Sequence, residues 1–125
     1  MLNNILHVED DEDIRSIALM ALQAIGGFNV VQCSSGQEAV QKVQEFTPDL
    51  FLLDVMMPGM SGIETQEALR KIPRFANTPV IFMTAKAHRE EIDAFKGSGA
   101  IEVITKPFDP VTLSDQVRAA WEKRK

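Results

Sequence analysis

Five short apolar runs, at residues 5–8, 30–31, 50–53, 80–83 and 101–104, are each followed by a stretch with helical spacing. This strict alternation constrains the chain more than any single motif. A strand, a crossover helix and a second strand running the same way form a unit that is almost always right-handed, and repeating it builds a parallel sheet. Three of the runs are nearly continuous rather than alternating in polarity, as strands covered by helices on both faces must be. The predicted fold is therefore α/β: a flavodoxin-like, doubly wound sheet of five parallel strands in the order 2-1-3-4-5, with helices on both faces. In that order the first and third strands are neighbours, and ligands bind in the crevice outside their carboxyl ends.

The helical stretches carry their own punctuation. Ile14, Ile17, Ala18, Ala21, Leu22 and Ile25 fall on one stripe of a first helix that Gly26-Gly27 ends. A second helix opens at Ser35, where Ser35 and Glu38 have capping-box spacing, turns Ala39, Val43 and Phe46 inward, and breaks at Pro48. The third spans about 62–71 with Ala68, Leu69 and Ile72 on its apolar side, and the fourth about 89–96 with Ile92 and Phe95, closed by Gly97 and Gly99. The last takes Asp109 as its cap and Pro110 as its first residue, and buries Leu113, Val117, Ala120 and Trp121.

A length of 125 residues suits one compact domain, residues 1–125, with no linker or repeat. No apolar run is long enough to span a bilayer, and residues 1–4 lack a basic region ahead of an apolar stretch. Neither membrane insertion nor export is expected, which leaves the cytoplasm as the default. Cys33 is the single cysteine and can form no internal disulfide. The net charge of −5 argues against direct nucleic acid binding, and the basic group Lys123-Arg124-Lys125 reads as a solvated helix end. His7 reads as a satisfied core or interface histidine, and His88 as a loop residue without a role.

The polar residues that end the strands form a pattern: Glu9-Asp10-Asp11 after the first, Asp54 after the third, Thr84 after the fourth, Lys106-Pro107 after the fifth. The predicted topology puts all of them on one sheet edge. Carboxylates converging from two adjacent strands repel each other unless protonation or a cation relieves them. Oxygen ligands without cysteine or histidine suit a hard ion such as Mg²⁺. Asp11, Glu12 and Asp13 serve instead as the cap and acidic first turn of the first helix.

These motifs resemble those of the response regulator receiver family, typified by the bacterial chemotaxis regulator, over essentially the whole chain. The family's acidic pair falls on Glu9 and Asp10 in Val8-Glu9-Asp10-Asp11, its phosphoacceptor on Asp54 in Leu53-Asp54-Val55-Met56-Met57-Pro58-Gly59, its hydroxyl residue on Thr84, and its lysine on Lys106 in Thr105-Lys106-Pro107-Phe108. The resemblance implies a signalling phosphoacceptor rather than a turnover enzyme. Asp54 would take a phosphoryl group from a histidine kinase or histidine phosphotransfer protein, with slow self-catalysed loss, and altered binding to an output protein would follow. It also implies Mg²⁺, with Mn²⁺ as the alternative, on Asp10, Asp54 and the backbone carbonyl of Met56, with Glu9 acting through water. Lys106 would neutralise the phosphoryl oxygens, Thr84 would donate a hydrogen bond to them, and the Lys106-Pro107 bond would be cis.

Two departures stand out. Where many receivers carry an aromatic residue three positions before the lysine, this chain has Val103, which places its response in the segment 85–95. Met56 and Lys86 occupy the positions that tune acyl-phosphate lifetime. Among competing functions, an aspartyl-nucleophile phosphohydrolase of the haloacid dehalogenase type needs a second acid two residues after Asp54, where Met56 stands. A flavin module needs a hydroxyl-rich phosphate loop where Glu9-Asp10-Asp11 would repel phosphate.

Overall fold

The computed structural model describes every residue except Lys86, Ala87 and Lys125. The strands β1 (Asn4–Val8), β2 (Asn29–Cys33), β3 (Leu50–Asp54), β4 (Val80–Thr84) and β5 (Glu102–Thr105) form one sheet in the order β2-β1-β3-β4-β5, every pair parallel. This is the predicted order. The helices α1 (Glu12–Leu19), α2 (Gly36–Lys42), α3 (Gly62–Arg70), α4 (Arg89–Gly97) and α5 (Leu113–Lys123) alternate with the strands.

The sheet separates two apolar cores. Ile5, Leu50, Leu52, Ile81 and Met83 point towards Ala18, Leu22, Leu113 and Val117 of the α1 and α5 layer. Leu6, Val8, Phe51, Leu53 and Phe82 point the other way, among Ala39, Leu69, Phe75 and Phe95. Strand residues alternate between the two sides, yet β3 and β4 are buried along their whole length. Leu52 is fully buried, and truncation to alanine there costs about 2–5 kcal/mol.

The helix caps show where local signals are sufficient. Asp11 caps α1, its Oδ1 accepting the backbone N–H groups of Asp13 and Ile14 at 2.9 and 3.1 Å. Ser61 and Glu64 make a complete capping box on α3. At α2 only half of the expected box forms. Ser35 Oγ accepts from Glu38 N, but the Glu38 carboxylate returns to the N–H and hydroxyl of Ser34, one residue early.

The first helix ends before Gly26-Gly27 as expected but changes type on the way, and two other boundaries differ from the sequence reading. The first helix continues beyond Leu19 as a π-helix, Met20–Ile25, in which Gly26 N donates to Ala21 O five residues back. Ser114 Oγ of α5 donates to the same carbonyl at 2.7 Å, and a side chain inserted into the ladder is a recognised cause of such distortion. A Cβ at Gly26 would collide with that serine. The wider turn carries Ile25 out of the apolar stripe, so that it is 53% exposed, while Ala21 and Leu22 stay buried. Helix α2 stops at Lys42 instead of approaching Pro48, its carbonyls being taken up by a tighter turn through Glu45. Regular helix in α5 begins at Leu113: Asp109 Oδ1 accepts from Val111 N, and its carbonyl accepts from Thr112 and Leu113, so Asp109 and Pro110 build a lead-in turn.

Candidate functional site

The carboxyl ends of β1, β3, β4 and β5 share one edge, and the strand register decides what meets there. Val8 pairs with Leu53, Asp54 with Met83, and Thr84 with Thr105, so the residues at the strand ends and just beyond face a common crevice. Glu9, Asp10 and Asp54 each bring a carboxylate oxygen within 4.8 Å of the others. Glu9 and Asp54 are buried and Asp10 is exposed.

Lys106 enters this cluster from the end of β5. Its ammonium donates to Glu9 Oε1 at 2.7 Å and stands 3.0 Å from Asp54 Oδ1. The second contact is an ion pair, and among the described residues Asp54 Oδ1 accepts no hydrogen bond. Lys106 is anchored by its backbone, whose N–H donates to Thr84 O at 2.9 Å, and its bond to Pro107 is cis. Thr84 itself is buried at the end of β4.

The electrostatics are those of carboxylates gathered around one lysine. Burial, with the Asp54 charge adding to it, pushes the Glu9 carboxyl up to about 7 even though Lys106 and the Asp11 N–H favour its ionised form. Asp54 is raised as well, first by burial. Burial alone would lower Lys106, but the Glu9 and Asp54 carboxylates beside it reverse the sign and raise it. Both oxygens of Glu9 are already engaged, Oε1 by Lys106 and Oε2 by Asp11 N at 3.2 Å.

Gly62 completes the wall behind the cluster. A Cβ there would collide with Asp54 O, and Gly62 N donates to Val55 O at 3.0 Å. The sequence reading placed Gly62 only as a helix start; the close approach of α3 to the Asp54 backbone is a tertiary requirement. Arg15 was not singled out either. Its guanidinium donates to the carbonyls of Glu9 and Asp10. An arginine facing back along the first turns of a helix that follows an acidic pair would have been the available signal.

The remaining expected residues are placed as follows. Met56 lies in the loop after β3 and is 60% exposed, and Lys86 lies outside the described residues. Val103 is half-buried against the core that holds Phe82 and Phe95, whose rings meet edge to face at 5.6 Å. His7 departs from expectation: it is buried, but only Nδ1 finds a partner, Gln32 Nε2 at 3.1 Å, and Nε2 has none among the described residues. Burial and the nearby Lys106 and Arg15 charges lower it to about 3, which keeps the ring neutral. The Cys33 thiol is buried and pushed up to about 11 by desolvation, so it is not a nucleophile near neutrality. Among the described residues, no helix is long and apolar enough to cross a membrane.

Known proteins resemble this chain in sequence and in fold. The profile of the response regulator receiver domain matches residues 5–118. The phosphate regulon transcriptional regulatory protein PhoB of Rhizobium meliloti is 37% identical over 125 residues, an alignment covering 100% of this chain and 55% of the relative. The DNA-binding response regulator MtrA of Mycolicibacterium paratuberculosis is 36% identical over 119 residues, covering 95% of this chain and 51% of its own length. The chain thus spans about half the length of these curated relatives. Among solved structures, the chemotaxis protein CheY4 of Vibrio cholerae superposes with a TM-score of 0.87 at 31% identity, covering 96% of this chain and 99% of that one.

Proposed function

The chain belongs to the response regulator receiver family, and from that premise we propose which of its residues perform the family's phosphoacceptor switching. Asp54 is the nucleophile. One of its carboxylate oxygens attacks the phosphorus of a phosphohistidine, forming an acyl phosphate. The P–N bond breaks with its electron pair passing to the imidazole nitrogen, which takes a proton from water and leaves as neutral imidazole. The observation that carries this assignment is the placement of Asp54: buried, with no hydrogen bond to Oδ1 among the described residues, and faced by a lysine and two further carboxylates at the carboxyl edge of the sheet.

The cluster fits a hard divalent cation. Its donors are all oxygen, and the raised Glu9 and Asp54 carboxyls report burial and repulsion that a cation would relieve. Asp10, Asp54 and the Met56 carbonyl would hold Mg²⁺, or Mn²⁺, directly. Glu9, with both oxygens occupied, would act through water. When bound, the ion supplies positive charge to the transferring phosphoryl oxygens. Lys106 exchanges its carboxylate contacts for a phosphoryl oxygen, and the Thr84 hydroxyl donates to another. That exchange alters the packing around β4 and β5 and thereby the surface offered to a partner.

The donor is a histidine kinase or histidine phosphotransfer protein, and output passes through protein contact. Transcriptional regulation and DNA binding belong by name to relatives about twice as long as the matched segment. The receiver, at net charge −5, is not assigned nucleic acid binding, and cytoplasm is its proposed location. The phosphohydrolase alternative is not favoured, because Met56 cannot act as a second acid.

Incubation with acetyl phosphate and Mg²⁺, read by intact mass, tests the assignment. The native chain gains one phosphoryl group and Asp54→Asn does not. An adduct on neither, or on both, would reject Asp54 as the acceptor. Met56→Asn is expected to change the adduct's lifetime, and equal hydrolysis rates would remove Met56 from the site's tuning.

A further inference from the structure

Only two residues, Glu9 and Asp10, separate the end of β1 from the Asp11 cap of α1. Arg15, half-buried on α1, spans both of them from behind: Nη1 donates to Glu9 O at 2.8 Å and to Asp10 O at 3.1 Å. These carbonyls belong to the two peptide units on either side of the Asp10 Cα. A peptide unit is planar, so orienting both units sets φ and ψ of Asp10 and with them the direction of its Cα–Cβ bond. Arg15 is itself anchored. Its own carbonyl accepts from Gln32 Nε2 of β2 at 2.8 Å, and the same amide serves His7 Nδ1 of β1. The turn is further tied by Glu9 N donating to Cys33 O at 3.0 Å.

Arg15 and Lys106 thus treat the acidic residues in opposite ways. Lys106 contacts carboxylate oxygens directly, whereas among the described residues Arg15 donates to main-chain carbonyls and makes no bond to the Asp10 carboxylate. We propose that Arg15 is a positioning residue for cation binding, clamping the two peptide units around Asp10 so that its carboxylate is held towards Glu9 and Asp54 before any ion arrives. This rests on reading the acidic cluster as a cation site. The clamp works against repulsion, since three carboxylates at this separation would otherwise relax apart.

The sign of the effect separates positioning from simple charge. A neighbouring cation weakens binding of another cation, so deleting a bystander arginine would tighten Mn²⁺ binding. Deleting a clamp loosens it. Loss of a group that orients a metal ligand typically costs 10–100-fold in affinity.

Mn²⁺ titration followed by electron paramagnetic resonance decides the matter, using the full chain as wild type, Arg15→Met, Arg15→Lys and Asp10→Asn, with folding checked by circular dichroism. Expected results are loss of most binding in Asp10→Asn, about tenfold weaker binding in Arg15→Met, and an intermediate loss in Arg15→Lys. Amide hydrogen exchange at Asp10 and Asp11 of the metal-free Arg15 variants should quicken. Binding in Arg15→Met as tight as wild type or tighter, with Asp10→Asn impaired, overturns the clamp while leaving the site intact. Undiminished binding in Asp10→Asn rejects the cation site and the clamp with it. Should Arg15→Met not fold, Arg15→Lys decides alone: it retains the charge, so weaker binding supports the clamp and unchanged binding refutes it.

Discussion

Two lysine–glutamate pairs in this protein have nearly the same geometry and opposite electrostatics. Lys106–Glu9 closes at 2.7 Å with Glu9 1% exposed; Lys96–Glu102 closes at 3.0 Å with Glu102 33% exposed. Glu9 is raised to about 7, whereas Glu102 is lowered: burial is the largest single influence and raises it, but the Val103 N–H and the Lys96 ammonium together outweigh that. An ion pair stabilises a carboxylate only where the surroundings do not charge more for its desolvation than the partner returns. The surface pair is left with its chemistry spent. The buried pair, shared with Asp54, holds a carboxylate that is poorly stabilised and a lysine with an alternative use.

The largest difference should follow removal of each lysine. Lys106→Met leaves two buried carboxylates facing each other and should destabilise the metal-free protein by about 3 kcal/mol at pH 8, less at pH 5, where Glu9 takes up a proton. It should also slow acetyl phosphate labelling by about 100-fold. Urea unfolding and intact-mass kinetics measure both, and a stability loss no greater than that of Lys96→Met would break the contrast.

Divalent cation should act on one pair only. Mg²⁺ at 100 times its dissociation constant should stabilise the folded chain by about 2.7 kcal/mol at neutral pH, and less at pH 5, because protons compete for the carboxylates. Thermal melts of the native protein and Asp10→Asn with and without Mg²⁺ check this; an equal shift in both would point to binding elsewhere.

The two glutamates should also shift stability with pH in opposite directions. For Glu9 the folded value lies above the unfolded one, so its contribution is complete below pH 4.5 and is lost as pH rises through about 7. Metal-free stability should fall across that window by an amount on the order of 2 kcal/mol, and Glu9→Gln should flatten the fall. For Glu102 the folded value is depressed, so its contribution holds above 4.5 and disappears only in acid. The smallest effect is Lys96→Met, about 0.5 kcal/mol or less for so exposed a pair. A larger loss in urea unfolding would mean that the α4–β5 contact relies on it.

Much of the site was legible because it depends on order along the chain. Once five strands run parallel, every strand end falls on one edge, and Glu9, Asp10, Asp54, Thr84 and Lys106 follow from where the apolar runs stop. The Asp11 cap was legible for a similar reason, since it acts within four residues. The capping box at Ser35 misled because Ser34 offered the Glu38 carboxylate an equivalent donor one residue away. The inward face of α3 was also illegible: Thr65 and Gln66 are buried beside Leu69, and Gln66 finds its partner at Ser98 O, 32 residues on.

By itself the sequence determined the architecture, the strand order and the set of groups gathered at the edge, because hydrophobic periodicity and chain direction are local properties that topology merely adds together. Only the tertiary structure decided how those groups spend their bonds: that Lys106 holds Glu9 and Asp54 together, that Arg15 reaches back to the carbonyls around Asp10, that Gly62 must lack a side chain, and that Ser114 opens the first helix into a π-turn. Each of these depends on a distance between residues far apart in sequence or on the depth of burial of a charge, and both come into being only when the sheet and its two helical layers close.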